Sequence, residues 1–231
     1  MNRTVFLTGA SSGIGRATAL RLAAEGYRVF AVARNGERLS GLVTEEPRLR
    51  TAVCDVTDEA SVTAAFAACR EAYGPVQVLF NIAGVGLATP DLSQTALADL
   101  EAMFTTNVRG SFLCAREALR DMLPAGCGHI VNVVSVVGKK TNPTAPLYCA
   151  SKFGQRGFSS GLADQALPKG IKITDLNPAA TDTGYWGDRQ VPREKMLKAE
   201  DVAEAACWLL NLPDHVLIRE LDLESMGMLA K

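Results

Sequence analysis

Thr4-Val5-Phe6-Leu7-Thr8 runs without a break into Gly9-Ala10-Ser11-Ser12-Gly13-Ile14-Gly15, and then into Arg16-Ala17-Thr18-Ala19-Leu20. The order is a strand, a tight glycine turn and the start of a helix. Gly9 allows the chain to reverse, and Gly13 removes a Cβ so that the backbone can approach a pyrophosphate. Gly15 lets helix and strand pack closely, and the first free N–H groups of the helix then face the phosphate. The spacing is G-x-x-x-G-x-G, not the more familiar G-x-G-x-x-G. Taken alone such a run is also a plain structural turn. Its place between the first strand and the first helix is what points to phosphate.

Outward from this turn the chain alternates short strand patterns with longer amphipathic ones. Strands are expected at 4–8, 28–33, 49–54, 76–81, 129–134, 172–176 and, more weakly, 216–221. Helical periodicity covers 14–25, 37–43, 59–73, 97–122, 150–166 and 200–210. Ile130-Val131-Asn132-Val133-Val134 is almost continuously apolar, as in a strand buried on both faces. Strict alternation implies right-handed crossovers, hence an α/β fold: one Rossmann-type, doubly wound parallel sheet of about seven strands with helices on both faces. All 231 residues are read as one dinucleotide-binding and catalytic domain. Ligands then belong outside the carboxyl ends of the strands.

Composition narrows the function. The 24 basic and 25 acidic residues leave a net charge of −1, with no like-charge patch, which argues against nucleic acid or a membrane surface as partner. No apolar run approaches the roughly 18–20 residues of a membrane span. Strand pattern begins almost at the first residue, so neither a signal peptide nor a transit segment is expected. The six cysteines are scattered without C-x-x-C spacing or a nearby histidine, which predicts reduced, mostly buried thiols, no metal site and a cytoplasmic setting. His129 and His215 are read as structural or surface residues.

The chemistry lies further along. The fifth strand ends at Ser135, and Tyr148 and Lys152 follow four residues apart, on one face of a helix. A neighbouring ammonium favours the phenolate and lowers a tyrosine pKa from about 10, which would make Tyr148 an acid/base near neutral pH. Ser135 is placed to hydrogen-bond a substrate oxygen beside the phenol. Y-x-x-x-K pairs also occur by chance on exposed helices; position after the fifth strand, in a chain that opens with the phosphate turn, favours the functional reading.

Thr8 to Gly15, Asn81-Ile82-Ala83-Gly84, Asn107, Ser135, Tyr148-Cys149-Ala150-Ser151-Lys152 and Pro178 to Thr183 together resemble the ordered motifs of the short-chain dehydrogenase/reductase family, in its compact one-domain form. The resemblance covers essentially the whole chain. It implies a tetrad of Asn107, Ser135, Tyr148 and Lys152. Tyr148 would give the proton to a carbonyl oxygen, and Ser135 would orient that oxygen. Lys152 would bind the nicotinamide ribose and keep the tyrosine acidic, and Asn107 would hold a water linking Lys152 to solvent. It further implies cofactor contacts from Gly9, Ser11, Ser12, Gly13, Ile14, Gly15, Asp55, Val56, Asn81, Ala83, Gly84, Pro178, Ala179, Thr181 and Thr183. Members are commonly dimers or tetramers through helices near 104–119 and 148–167. Two departures stand out. Ile82 replaces a usual asparagine, and Ala179 replaces a usual glycine, which would be strained wherever φ > 0 is required.

The second strand ends at Ala33-Arg34-Asn35. An NAD site places a carboxylate here, about 20 residues beyond the turn. A guanidinium instead fits a 2′-phosphate, so NADP(H) is expected over NAD(H), resting mostly on Arg34, with Arg16 as a weaker contributor. The expected reaction is hydride transfer between NADP(H) and a small ketone or aldehyde and its alcohol. The alternative is a catalytically silent NADP(H)-binding sensor or scaffold, against which the intact tetrad argues. An extended epimerase or dehydratase would need a longer chain. Residues 180–197 are expected to shape the substrate site, and Tyr185 and Trp186 there read equally as an apolar lid or as a pair packed on the domain. The substrate itself is not encoded legibly.

Overall fold

A computed structural model describes residues 3–89 and 91–229. Met1, Asn2, Pro90, Ala230 and Lys231 lie outside the described residues, and with them the first two residues of the N-terminal run. Seven strands, β1 (Thr4–Thr8), β2 (Arg28–Ala33), β3 (Arg50–Val53), β4 (Val78–Asn81), β5 (Gly128–Val133), β6 (Ile171–Pro178) and β9 (Glu220–Leu223), form one sheet in the order β3-β2-β1-β4-β5-β6-β9. Every neighbouring pair is parallel. The strand order reverses between β1 and β4, so a crevice opens there above the carboxyl ends.

Side-chain alternation along the strands builds two cores. Val5 and Leu7 of β1 face α1 (Gly13–Ala24), α2 (Gly36–Glu45) and α7 (Ala199–Asn211), where Leu22, Leu42 and Val202 close the layer. Phe6, between them in sequence, faces α3 (Glu59–Tyr73), α5 (Ser111–Ala125) and α6 (Pro146–Ala166) and stacks on Phe66 at 3.9 Å between ring centroids. All five residues of β1 are buried, which is why the run shows no polar alternation. The edges differ. β9 alternates exposed and half-buried residues and carries Glu220 and Asp222, whose carboxylates pair with Lys139 and Arg156.

Three expected elements shift. The last strand lies at Glu220–Leu223, not 216–221: Ile218 packs into the core as an approach segment, and pairing with β6 begins one turn later, at Asp175 opposite Glu220. The pattern at 97–122 is not one α-helix. α4 (Leu97–Phe104) and α5 are joined by a π-helical segment, Thr105–Gly110, whose extra residue per turn swings Asn107 inward to full burial. α6 begins at Pro146, four residues before the periodicity does, because proline suits the first turn of a helix. Tyr148 therefore lies in that first turn. Within 180–197 sit two two-residue strands, β7 (Thr181–Asp182) and β8 (Leu197–Lys198), paired in parallel. A four-residue helix, α8 (Met226–Leu229), ends the described chain. Among the described residues no helix is long and apolar enough to cross a membrane, and no cluster of three or more His, Cys, Asp or Glu side chains is placed to hold a metal.

Candidate active site

A cleft of about 900 Å³ opens above the carboxyl ends of β1, β2, β4, β5 and β6. Its floor at one end is the glycine turn. Gly9 has φ +75°, and a side chain on Gly15 would collide with the Gly9 carbonyl oxygen, so close helix–turn packing excludes anything larger at both places. α1 starts at Gly13 with no side-chain cap on its first N–H groups, which leaves donors and a positive dipole end facing the cleft. Ser11, Ser12, Gly13, Ile14, Gly15, Asp55, Val56, Ala83, Gly84, Pro178, Ala179, Thr181 and Thr183 line it as well. Thr8 Oγ1 accepts the N–H groups of both Ile82 and Ala83 at 3.0 Å and so shapes the turn after β4.

Arg34 lines the far end of the cleft, exposed and free of ion pairs among the described residues. Against the effect of burial, hydrogen bonds from Thr57 and the charge of Arg34 hold the Asp55 carboxyl below its ordinary pKa. Arg38, which the sequence reading passed over, lines the same end from the first turn of α2. Its signal was the four-residue step from Arg34 across the Asn35 cap, whose side chain accepts the Arg38 N–H at 2.9 Å. Arg16 is not there; it pairs with Glu45 on the outer surface.

At the other end, Ser135, Tyr148 and Lys152 meet. Ser135 follows β5 with φ 156°, the one non-glycine positive φ among the described residues, a conformation that costs about 1–3 kcal/mol and is found mostly where function requires it. Its Oγ donates to the Pro178 carbonyl at 3.2 Å and hydrogen-bonds the Tyr148 side chain. Lys152 is buried, and burial pulls its ammonium down to about 7, partly offset by the charge of Asp175. Its Nζ lies 6.0 Å from the centre of the Tyr148 ring and donates to the Val133 carbonyl at 3.1 Å and to Gln155 Oε1 at 2.7 Å. The expectation of a lowered tyrosine pKa is corrected here. Burial raises the phenol, the neighbouring Tyr185 adds to the rise, and the Ser135 hydrogen bond only moderates it. The ammonium spends its donors on uncharged acceptors instead of the phenol.

Two expected cofactor or relay residues sit beneath the cleft. The Asn81 carboxamide donates to Ser111 O and to Asn132 Oδ1, and the residue does not line the cleft. Asn107 is fully buried; its Oδ1 accepts from Val85 N at 2.9 Å, and its Nδ2 donates to Val85 O and Ser151 Oγ. Its side chain is thus spent on holding the chain after β4. Lys152 reaches Asn107 by another route: Gln155 Nε2 donates to Ser111 Oγ at 2.9 Å, and Ser111 Oγ donates to the Asn107 carbonyl at 2.8 Å. The two departures prove local. Ile82 packs against the α1–α7 core, and Ala179 escapes positive φ while its N–H donates to Leu223 O at 2.8 Å.

The substrate-side wall is aromatic. Tyr185 stands 6.0 Å from Tyr148 and 5.1 Å from Trp186 between ring centroids. A Cβ on Gly86 would meet the Tyr185 hydroxyl at 2.6 Å and the Tyr148 ring at 2.8 Å, so only glycine lets the two phenols approach over that segment. The Trp186 indole N–H donates to Thr181 O at 2.8 Å. Of the remaining residues weighed in the sequence, His129 is buried and Cys149 lies beneath Asn142; all six cysteines are free thiols, five of them buried.

A parallel doubly wound sheet with an uncapped glycine-turn helix at one end of its crevice and a Ser–Tyr–Lys cluster at the other defines a dinucleotide-dependent oxidoreductase. Residues 3–193 match the short chain dehydrogenase family model, and the chain belongs to that family. It is 34% identical over 236 residues to a sulfoacetaldehyde reductase of Chromohalobacter salexigens, spanning 96% of this chain and 94% of the relative. Among solved structures it resembles an alcohol dehydrogenase of the archaeon Thermococcus sibiricus complexed with 5-hydroxy-NADP, at 28% identity, TM-score 0.91 and 98% of both chains. It also resembles a 3-ketoacyl-(acyl-carrier-protein) reductase of Brucella melitensis complexed with NADH, at 27% identity, TM-score 0.90, over 97% of this chain and 98% of the other.

Proposed function

We propose that the chain is an NADP(H)-dependent carbonyl reductase, in which residues 1–231 act as a single unit and 180–197 shape the substrate site. The observation that carries this reading is the pairing of two unlike ends in one cleft: Arg34 and Arg38 at the adenosine end, Ser135, Tyr148 and Lys152 at the other. The glycine turn fits the pyrophosphate, because the backbone there has no side chain in the way and the α1 N–H groups face outward. When bound, the cofactor supplies the hydride. Ser135 then orients the carbonyl oxygen by a hydrogen bond, and Tyr148 hands its hydroxyl proton to that oxygen as charge develops. Lys152 contributes a positive charge behind the phenol, which stabilises the tyrosinate left after transfer. Gln155, Ser111 and Asn107 hold that ammonium in place.

A carbonyl compound or its alcohol fits its reacting end against the largely apolar wall of Leu87, Val136, Tyr185 and Trp186. The relative that is a sulfoacetaldehyde reductase supports a small aldehyde or ketone as substrate. Exposed Phe104, Phe112 and Phe153 on α4, α5 and α6 support a homodimer or homotetramer through those helices, and the free thiols suit a cytoplasmic setting.

The test is NADPH oxidation, followed by absorbance, across small aldehydes, ketones and quinones. Tyr148→Phe is expected to lower kcat by about 10²–10⁴ while leaving the Kd for NADPH nearly unchanged. A variant that keeps full turnover removes Tyr148 as the acid; a wild type that binds NADPH yet reduces nothing leaves the sensor reading.

A further inference from the structure

Arg189 lines the catalytic end of the cleft and has no ion pair among the described residues. Its guanidinium is held in place by neutral groups alone. The carbon lies 4.8 Å from the centre of the Tyr185 ring and 4.9 Å from that of Trp186. Nε donates to the Trp186 carbonyl at 2.9 Å, and one terminal nitrogen donates to the Tyr185 carbonyl. Two aromatic faces and two carbonyls thus fix a half-buried cation one ring away from Tyr148, since Tyr185 stands between them.

Among the described residues no carboxylate pairs with it. Asp55, at the adenosine end, is the one carboxylate lining the whole cleft among the described residues. Asp182, an acid of the same loop system, is committed to Arg193 at 2.9 Å and Lys198 at 3.0 Å. Asp188, next in sequence, is exposed and forms no ion pair among the described residues. A fixed guanidinium without a counter-charge, facing a cleft, is complementary to a ligand carboxylate or sulfonate, which it can take with paired hydrogen bonds.

We infer that the substrate is a small aldehyde or ketone bearing an anionic group, and that Arg189 is the residue that binds this group. The inference rests on the carbonyl-reductase reading and deepens it. The mode of holding explains why the loop carries Tyr185, Trp186 and Arg189 together: the rings orient the cation as well as wall the site. It also separates this cation from Arg34 and Arg38, which stand at the opposite end of the cleft.

Two four-carbon aldehydes that differ only in charge make the comparison, succinate semialdehyde and butanal, each with NADPH. Wild type is expected to favour succinate semialdehyde in kcat/KM by about 10–100-fold, the size of one charge-assisted interaction. Arg189→Met is expected to remove that preference while changing butanal turnover and the Kd for NADPH by less than about threefold. Unchanged butanal turnover also shows that the variant is folded. Equal use of both aldehydes by wild type overturns the inference. So does an Arg189→Met variant that weakens NADPH instead, which would give the guanidinium to the cofactor. Should no carbonyl be reduced, titration calorimetry with butyrate and propane-1-sulfonate still decides it. Weaker binding of either to Arg189→Met supports an anion site without the reductase reading, and identical binding to both proteins overturns it.

Discussion

Gln155 stands one helical step beyond Lys152 and is fully buried. Its Oε1 is one of two acceptors for a lysine ammonium that is almost wholly buried, and hydrogen bonding to the charged form is what keeps that form available. An apolar residue here would leave a donor unsatisfied and favour the neutral amine. Gln155→Leu is therefore expected to lower the Lys152 pKa below its value of about 7, and with it the alkaline limb of the kcat/KM profile. Gln155→Glu, which sets a carboxylate beside the ammonium, is expected to move that limb upward. Parallel pH–rate profiles for both variants and wild type would show Gln155 to be a packing residue and nothing more. The resemblance gave Asn107 a water that links Lys152 to solvent. The folded chain gives the nearest contact to Gln155, because only helix geometry and burial reveal which of several polar side chains face the same ammonium.

At the scale of elements, the turn from β2 into α2 brings two guanidiniums to one end of the cleft. Arg34 ends the strand side of the turn, and capping by Asn35 sets the first turn of α2 so that Arg38 reaches the same space. If both meet a 2′-phosphate, Arg34→Ala and Arg38→Ala should each lower kcat/KM for NADPH by about 10-fold or more, as loss of a charge-assisted hydrogen bond does. Values for NADH should stay near those of wild type. Ala33→Asp with Arg34→Ile should reverse the preference, because a carboxylate repels the phosphate and accepts from the ribose hydroxyl. Steady-state kinetics with both dinucleotides reads this directly, and equal or better use of NADH by wild type would refute the NADP(H) assignment. Arg34 was legible as a residue; its partner was not, since a helix boundary one residue away decides whether Arg38 turns toward the cleft or toward solvent. The π-helical segment at Thr105–Gly110 illustrates the same point, its extra residue being invisible in a periodicity that runs through it unbroken.

Across the whole molecule, stability carries a readable pH dependence. His129 is buried in β5, and its Nε2 lies 2.8 Å from Thr174 Oγ1, which itself donates to the Ile218 carbonyl. With the Thr174 hydroxyl proton committed to Ile218, the ring donates through Nε2. Burial, with the charges of Lys172 and Arg3, pulls its pKa down to about 3 from an ordinary 6.5. Between those values the unfolded chain binds a proton that the folded chain refuses, so stability falls as pH falls from about 6.5 toward 3. His129→Gln keeps a donor to Thr174 and removes the titration. Its melting temperature is expected to lie close to that of wild type near pH 7.5 and to decline less steeply on acidification. Identical pH slopes for the two proteins, measured by thermal denaturation, would refute the assignment.

The sequence by itself determined the sheet and the turn, and it named the side chains proposed to react. Those depend on local signals: apolar runs long enough for strands, glycines where a backbone reverses, a tyrosine and a lysine one helical turn apart. The bounds of the seventh strand, expected at 216–221, escaped it because an edge strand, half exposed, lacks the apolar run that marks the buried ones. The state of the site was decided by the tertiary structure. Burial, which no single residue encodes, raised the phenol and lowered the ammonium, and long-range contacts spent Asn81 and Asn107 on the scaffold beneath the cleft. The same packing stood Arg189 against two rings with no counter-charge among the described residues, because which charges find partners depends on which distant segments the fold brings together.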